Sequence, residues 1–207
     1  MAQRQAASGR GTPAWPKDAL RITFGVIWLI DATLKWLPGF RASYMSVIMG
    51  EAQSQPGWLQ PWFRFWINIQ HPDATFLAYL VAILETLIAV ALIAGFARKV
   101  TYAAAIAFSL LIWATAEGFG GPYTSGASDI GTAVIYAVVF AALLALSYYA
   151  GPSRYSADYY IEQKISWWWK VAETRRPAPA EALASAGVTP AGEAASPQPQ
   201  STLPRSA

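Results

Sequence analysis

The feature that most constrains this chain is a set of four long apolar runs, from about Leu20 to Leu37, Thr75 to Phe96, Val100 to Glu117 and Ile130 to Ala150. Three of them end on helix breakers, at Pro38-Gly39, Gly118 and Gly151-Pro152. Runs of about 18–22 residues match the roughly 20 that an α-helix needs to cross about 30 Å of hydrocarbon. In lipid every backbone N–H and C=O must be satisfied internally, so only helices and closed barrels span. Barrel strands alternate over about ten residues, and these runs do not. The expected fold is all-α: an integral membrane four-helix bundle. Composition agrees, with 55% hydrophobic and only 13% charged residues, against about 25% charged in a soluble domain. Ten Trp and ten Tyr supply the amphipathic rings that favour membrane–water interfaces.

Orientation follows from the Lys and Arg residues, which accumulate on the cytoplasmic side. Four spans place both termini and the short loop between the second and third runs on one side. That side carries Arg4, Arg10, Lys17, Arg21, Arg98, Lys99, Arg154, Lys164, Lys170, Arg175, Arg176 and Arg205, whereas Arg41, Arg64 and Lys35 lie on or near the other. Both ends are therefore expected in the cytoplasm of a multi-pass protein of the cell membrane, with 38–74 and 118–129 as outer loops. The first run can serve as a signal anchor; its length and the lack of an A-x-A site argue against a cleaved signal peptide.

The expected organisation is a cytoplasmic tail at 1–17, a transmembrane domain at 18–153, an interfacial amphipathic segment at 154–176 and a disordered tail at 177–207, which is rich in Ala, Pro, Ser and Gln and free of aromatics. The outer loop is dense in aromatics, with Trp58, Trp62, Phe63, Phe65 and Trp66, and reads as a segment at the outer interface or capping the bundle. Tyr155 to Val171 mixes Tyr and Trp with Lys164 and Lys170, and reads as an interfacial helix on anionic lipid. LIDATLKWLPG at 29–39 aligns with LIWATAEGFGG at 111–121, five of eleven positions identical, with Lys35 opposite Glu117. The match suggests a duplicated two-helix unit.

Charge inside a spanning helix costs at least about 2.5–3.5 kcal/mol at the centre, so each instance needs a reason. Asp31 and Lys35, four apart, share a helix face as a self-neutralising pair or a polar site. Glu85 lies near the middle of the second run, with Ala78, Ala82 and Ala89 on its face. Small residues mark helix contacts in membranes, so Glu85 should point inward, as a hydrogen-bond donor, proton relay, ligand contact or partner of Lys35. Glu117 closes the third run, where helix dipoles disfavour an anion, and Lys35 is its candidate partner. Asp129 opens the fourth run and suits a helix cap. Trp28, Trp113, Tyr123 and Tyr136 are the aromatics near this cluster.

The chain has no cysteine and a single histidine, His71. Thiol redox, Cys-ligated iron–sulfur or zinc and bis-His haem are thereby excluded, and no chain-bound haem, iron–sulfur or metal is expected. The net charge of +3 gives no reason to expect nucleic acid.

FGVIWLIDATLKWLPGF (24–40), PGWL (56–59) and FGGPYTSGASDIGTAVIYA (119–137), followed by YSADYYIEQK, resemble the DoxD/DoxX family of membrane proteins. The likeness spans about residues 18–170 and is nearest the DoxD members, small subunits of thiosulfate:quinone oxidoreductase. It implies a four-helix membrane fold, quinone as the electron acceptor, thiosulfate as the donor and a second subunit; it carries over no catalytic residue. Three functions follow from these readings. In the first, a quinone-linked oxidoreductase subunit, quinone sits among Trp28, Trp113, Tyr123, Asp129 and Tyr136, while Asp31, Lys35, Glu85 and Glu117 form the polar cluster that handles protons and anions. In the second, the chain is an accessory scaffold in a larger complex or a homo-oligomer. In the third, Glu85 belongs to a proton or small-solute pathway.

Overall fold

The computed structural model describes residues 15–123, 129–149 and 153–174, and these are helical throughout, with no strand among them. The α-helices are α1 (Trp15–Lys35), α2 (Pro38–Ser54), α3 (Gln60–Gln70), α4 (Ala74–Ala94), α5 (Arg98–Thr115), α6 (Thr132–Tyr149), α7 (Ala157–Glu162) and α8 (Trp169–Ala172), with short 3-10 turns at Gly57–Leu59, His71–Asp73 and Gly118–Gly120. Two stretches, Gly57–Ala94 and Thr132–Tyr149, are long and apolar enough to cross a membrane. α1 is as long as α4 but carries Lys17, Asp18, Arg21, Asp31 and Lys35, and α5 opens on Arg98-Lys99.

The four predicted runs coincide with α1, α4, α5 and α6, which share one buried core. Phe24 and Trp28 of α1, Ile88 and Leu92 of α4, Tyr102 and Ala105 of α5, and Phe140 and Leu143 of α6 meet there. Edge-to-face contacts order its aromatics, with the Phe24 and Trp28 rings each 5.0 Å from Phe140. α1 packs most extensively along α4 and α5 along α6, each pair antiparallel. Two helix pairs are the arrangement that the internal repeat suggests. The α1–α4 pair comes close because small residues line it. Ala32, Ala78, Ala82 and Ala89 are buried, and a Cβ on Gly25 would lie 2.9 Å from Ile93 Cγ1 and 3.0 Å from Leu92 Cβ.

Three sequence expectations need adjustment. The segment 38–74 is a helical hairpin of α2 and α3, joined by Tyr44 Oη donating to Gln70 Oε1 at 2.6 Å and by Gln60 Nε2 donating to the Gln55 carbonyl at 3.1 Å. Residues 154–174, the described part of the segment 154–176, are not one amphipathic helix. They turn twice as α7 and α8 and bury Ser156, Asp158, Ala172 and Glu173, because Asp158 and Glu173 reach the buried Arg98. Of the expected tail 1–17, Trp15–Lys17 belongs to α1 and Lys17 is buried; residues 1–14 and the predicted disordered tail 177–207 lie outside the described residues.

Candidate functional site

Where α1 ends and α4 and α6 begin, the helices enclose a cavity of about 670 Å³, walled by α1, α4, α5 and α6 and roofed by the α2–α3 hairpin. That volume lies in the range of small-molecule sites. Its floor and one wall are polar. Lys35 Nζ stands 3.4 Å from both Asp31 carboxylate oxygens, 4.0 Å from Glu85 Oε2 and 5.3 Å from the centre of the Phe40 ring. Asp31 and Lys35 meet as the i, i+4 spacing predicts. Glu85 is only 1% exposed, on the alanine face of α4. A single ammonium thus faces two carboxylates, the half-buried Asp31 and the fully buried Glu85, and for Glu85 an unpaired charge would be costly.

Six of the nine predicted site residues line this one cavity: Trp28, Asp31, Lys35, Glu85, Glu117 and Tyr136. Glu117 does so without pairing with Lys35, contrary to expectation. Its carboxylate accepts the Ala133 N–H at 2.9 and 3.2 Å, at the start of α6. The backbone of a second helix offers an anion free N–H groups and the positive end of a dipole, which removes the need for a cation. The other three lie beside the cavity rather than on its wall. Trp113 donates through Nε1 to the Ile130 carbonyl at 2.8 Å and packs edge-to-face on Phe119. Tyr123 is exposed, and its hydroxyl donates to the Phe119 carbonyl at 2.6 Å. Asp129 is exposed and accepts the Gly131 N–H at 2.8 Å, a local turn just ahead of α6.

The aromatic segment is expected at the outer interface or capping the bundle; α2 and the individual lining residues of the hairpin are not anticipated. Tyr44, Ile48, Trp66 and Gln70 line the roof; the aromatic density of 58–66 was the available signal. Three polar atoms of lining residues are buried without a hydrogen-bond partner: Trp28 Nε1, Trp66 Nε1 and Glu85 Oε2. Buried groups of this kind are normally satisfied, and exceptions call for an explanation such as a ligand or water.

At the opposite end lies a second polar cluster, closely hydrogen-bonded. Arg21 donates to the Leu92, Ile93 and Tyr155 carbonyls, the latter two at 2.9 and 2.8 Å, and lies 3.4 Å from Asp18, which also accepts the Ser153 hydroxyl. Asp158 accepts the Ala97 and Arg98 N–H groups at 2.7 and 3.0 Å, Arg98 Nε at 3.0 Å and Trp168 Nε1 at 2.8 Å. Arg98 also binds Glu173. Burial pushes the Glu173 carboxyl up to about 7 against the opposing pull of Arg98, and burial with the Arg98 charge brings Lys17 down to about 8.

Comparison of the chain with protein-family models, with curated proteins and with solved structures returned no match. The functional reading therefore stands on the cavity and on the sequence.

Proposed function

We propose that the chain is a four-helix, multi-pass protein of the cell membrane, with both termini cytoplasmic, that binds a quinone in the Lys35 cavity as the DoxD/DoxX-like membrane subunit of a quinone-linked oxidoreductase. α1, α4, α5 and α6 are the spans in this reading. The excess of Lys and Arg at the Arg21 end makes that end cytoplasmic and the Lys35 end outward.

The observation that carries the proposal is the set of unpartnered polar atoms on residues that line one cavity. Two indole N–H donors, of Trp28 and Trp66, lack acceptors, and Lys35 lines the same cavity. A quinone brings two carbonyl acceptors on a flat apolar ring, and Trp28 and Tyr136, whose ring centroids are 5.0 Å apart, offer aromatic surface. Quinone reduction takes up two electrons and two protons, and Glu85, with Asp31 near it, is placed to hand on protons where the carbonyl oxygen would rest. With thiosulfate as donor, two thiosulfates lose two electrons and join through a new S–S bond as tetrathionate. That half-reaction belongs to a second subunit or to the outer aqueous face near Arg41 and Arg64.

The test uses purified protein in lipid nanodiscs, reading quinone binding together with thiosulfate-dependent quinone reduction, for wild type, Lys35→Met and Glu85→Gln. Saturable binding weakened at least tenfold by Lys35→Met, in a protein that still folds, is the expected result. Binding without thiosulfate turnover in the presence of the partner subunit would remove thiosulfate as donor. No binding in wild type would overturn the quinone reading and favour an accessory role, for which the exposed Trp58 and Phe65 on the hairpin are the docking surface.

A further inference from the structure

α4 and α5 are joined only through Gly95, Phe96 and Ala97, yet they pack on each other much less than α1 on α4 or α5 on α6. Close to that turn they share buried core residues, Ile88 and Leu92 with Tyr102 and Ala105. Farther from it they part around the cavity. Leu77, Leu80 and Leu84 of α4, at i, i+3 and i+7, form one apolar stripe, and Phe108, Leu111 and Ile112 of α5 form another. None of the six is buried, and Leu84 and Leu111 are each 37% exposed. On the α1 side, by contrast, the lining is polar or buried, with the half-buried Asp31 and Lys35 beside Trp28, 2% exposed, and Glu85 of α4, 1% exposed. The two helices of the roof are joined by Tyr44–Gln70, and Trp62 Nε1 ties the roof to α5 by donating to the Ala114 carbonyl at 2.8 Å.

We propose that the cavity is filled sideways, from the hydrocarbon of the bilayer through the cleft between α4 and α5, by a single-tailed lipophilic quinone whose head lies at Lys35, Trp28 and Trp66 and whose tail lies along the two leucine-bearing stripes. The inference rests on the membrane-embedded quinone site above and adds its route and the class of quinone. A tied roof opposes entry from water, whereas the side wall is made only of half-buried or exposed apolar side chains, which a dissolved tail replaces without desolvating any polar group. The site is polar at one end and apolar at the other, as an amphiphile requires. A tail-less, water-soluble quinone would bury only its ring here and forgo the favourable burial of every methylene that a tail supplies.

The experiment uses full-length protein in nanodiscs and two photoreactive probes, a quinone with a diazirine at the end of its alkyl tail and a phosphatidylcholine with a diazirine in its acyl chain, with adducts mapped by mass spectrometry. The expected result is quinone adducts within residues 77–84 and 108–112. An unlabelled tailed quinone should displace them at a concentration at least tenfold below that of a tail-less quinone with the same head. The double variant Leu84→Trp/Leu111→Trp, which narrows the cleft, should reduce these adducts at least tenfold while tail-less quinone still binds. Equal competition by the two quinones, or adducts confined to other faces, would overturn the sideways route and leave the quinone site standing. Labelling of the stripes by the phospholipid probe alone would support the cleft and overturn the quinone as its occupant.

Discussion

At the Arg21 end, buried charge is met by backbone. The Arg21 guanidinium takes the Leu92 and Ile93 carbonyls at the end of α4, and Asp158 takes the first N–H groups of α5. Each charge also sits at the favourable pole of a helix dipole, cation at a C-terminus and anion at an N-terminus. At the Lys35 end, the last residue of α1 offers one ammonium to two carboxylates, Asp31 one turn back and Glu85 in the middle of α4, Glu85 Oε2 has no hydrogen bond, two indole N–H groups lack acceptors, and all these residues line a cavity of about 670 Å³. The Arg21 end too has unpartnered atoms, Arg21 Nε, Arg98 Nη1, Glu162 Oε1 and Thr174 Oγ1, but its two guanidinium groups and Asp158 are bonded through their other atoms. The contrast teaches that buried charge alone does not mark a site. Charge saturated by helix ends holds elements together, and charge left under-satisfied beside a void is available to a ligand.

The comparison breaks most visibly if stability does not follow saturation. Asp158→Ala removes the acceptor for two backbone N–H groups, Arg98 Nε and Trp168 Nε1 at once, and leaves the buried Arg98 with Glu173 as its remaining carboxylate partner. The expected loss is about 3–5 kcal/mol, as for breaking one side of a buried pair, read as a lowered unfolding midpoint in detergent. Glu85→Gln, in the cavity, removes a carboxylate whose Oε2 makes no hydrogen bond and keeps the Asp31–Lys35 pair, so it should cost less than Asp158→Ala while weakening the ligand. A reversal of these two outcomes would mean that the Lys35 cluster is the structural one.

Much of the Lys35 end was legible in the sequence, because its signals are local. Four apolar runs of spanning length located the long helices, the i, i+4 spacing joined Asp31 to Lys35, and alanines flanking Glu85 turned it inward. The Arg21 end was not legible. Arg98 meets Asp158 and Glu173 across 60 and 75 residues, and nothing in an aromatic, Lys-bearing segment distinguishes an acid that reaches back into the helices from one facing water. Matching charges also misplaced the partner of Glu117, since its actual partner is a backbone N–H and carries no letter in the sequence. The α2–α3 hairpin escaped because PGFRASYMSVIMGEAQS has neither a long apolar run nor marked amphipathy.

Acidity should separate the ends next. Glu173 has an ordinary carboxyl value of 4.5 raised to about 7 in the folded chain, so the native state holds more protons than the unfolded state between those values. Stability from this group is present below 4.5 and is lost as pH rises towards 7, about 3 kcal/mol in all. Lys17, lowered from 10.5 to about 8, acts in the other window. Its folded form holds fewer protons there, so stability falls as pH drops through 8 and recovers towards 10.5. The two limbs produce a minimum between about pH 7 and 8 in the unfolding midpoint against pH. Glu173→Gln should flatten the acid limb and leave the alkaline one; an unchanged acid limb would remove Glu173 as its source.

The smallest effect concerns Gly95, which caps α4 at φ 67°, in the left-handed region. An alanine there pays about 1–2 kcal/mol for backbone conformation alone. Its Cβ would also lie 2.8 Å from Ser156 Oγ and 2.9 Å from Arg21 Nη1. Neither atom is free to retreat, since Ser156 Oγ donates to the Gly95 carbonyl at 2.7 Å and Arg21 is held by three carbonyls. Gly95→Ala should therefore lower the unfolding midpoint and leave quinone affinity unchanged, because Gly95 lies ten residues along α4 from Glu85. If affinity falls along with stability, α4 transmits strain from its saturated end to the cavity, and the two ends act as one device rather than as a fastening and a site.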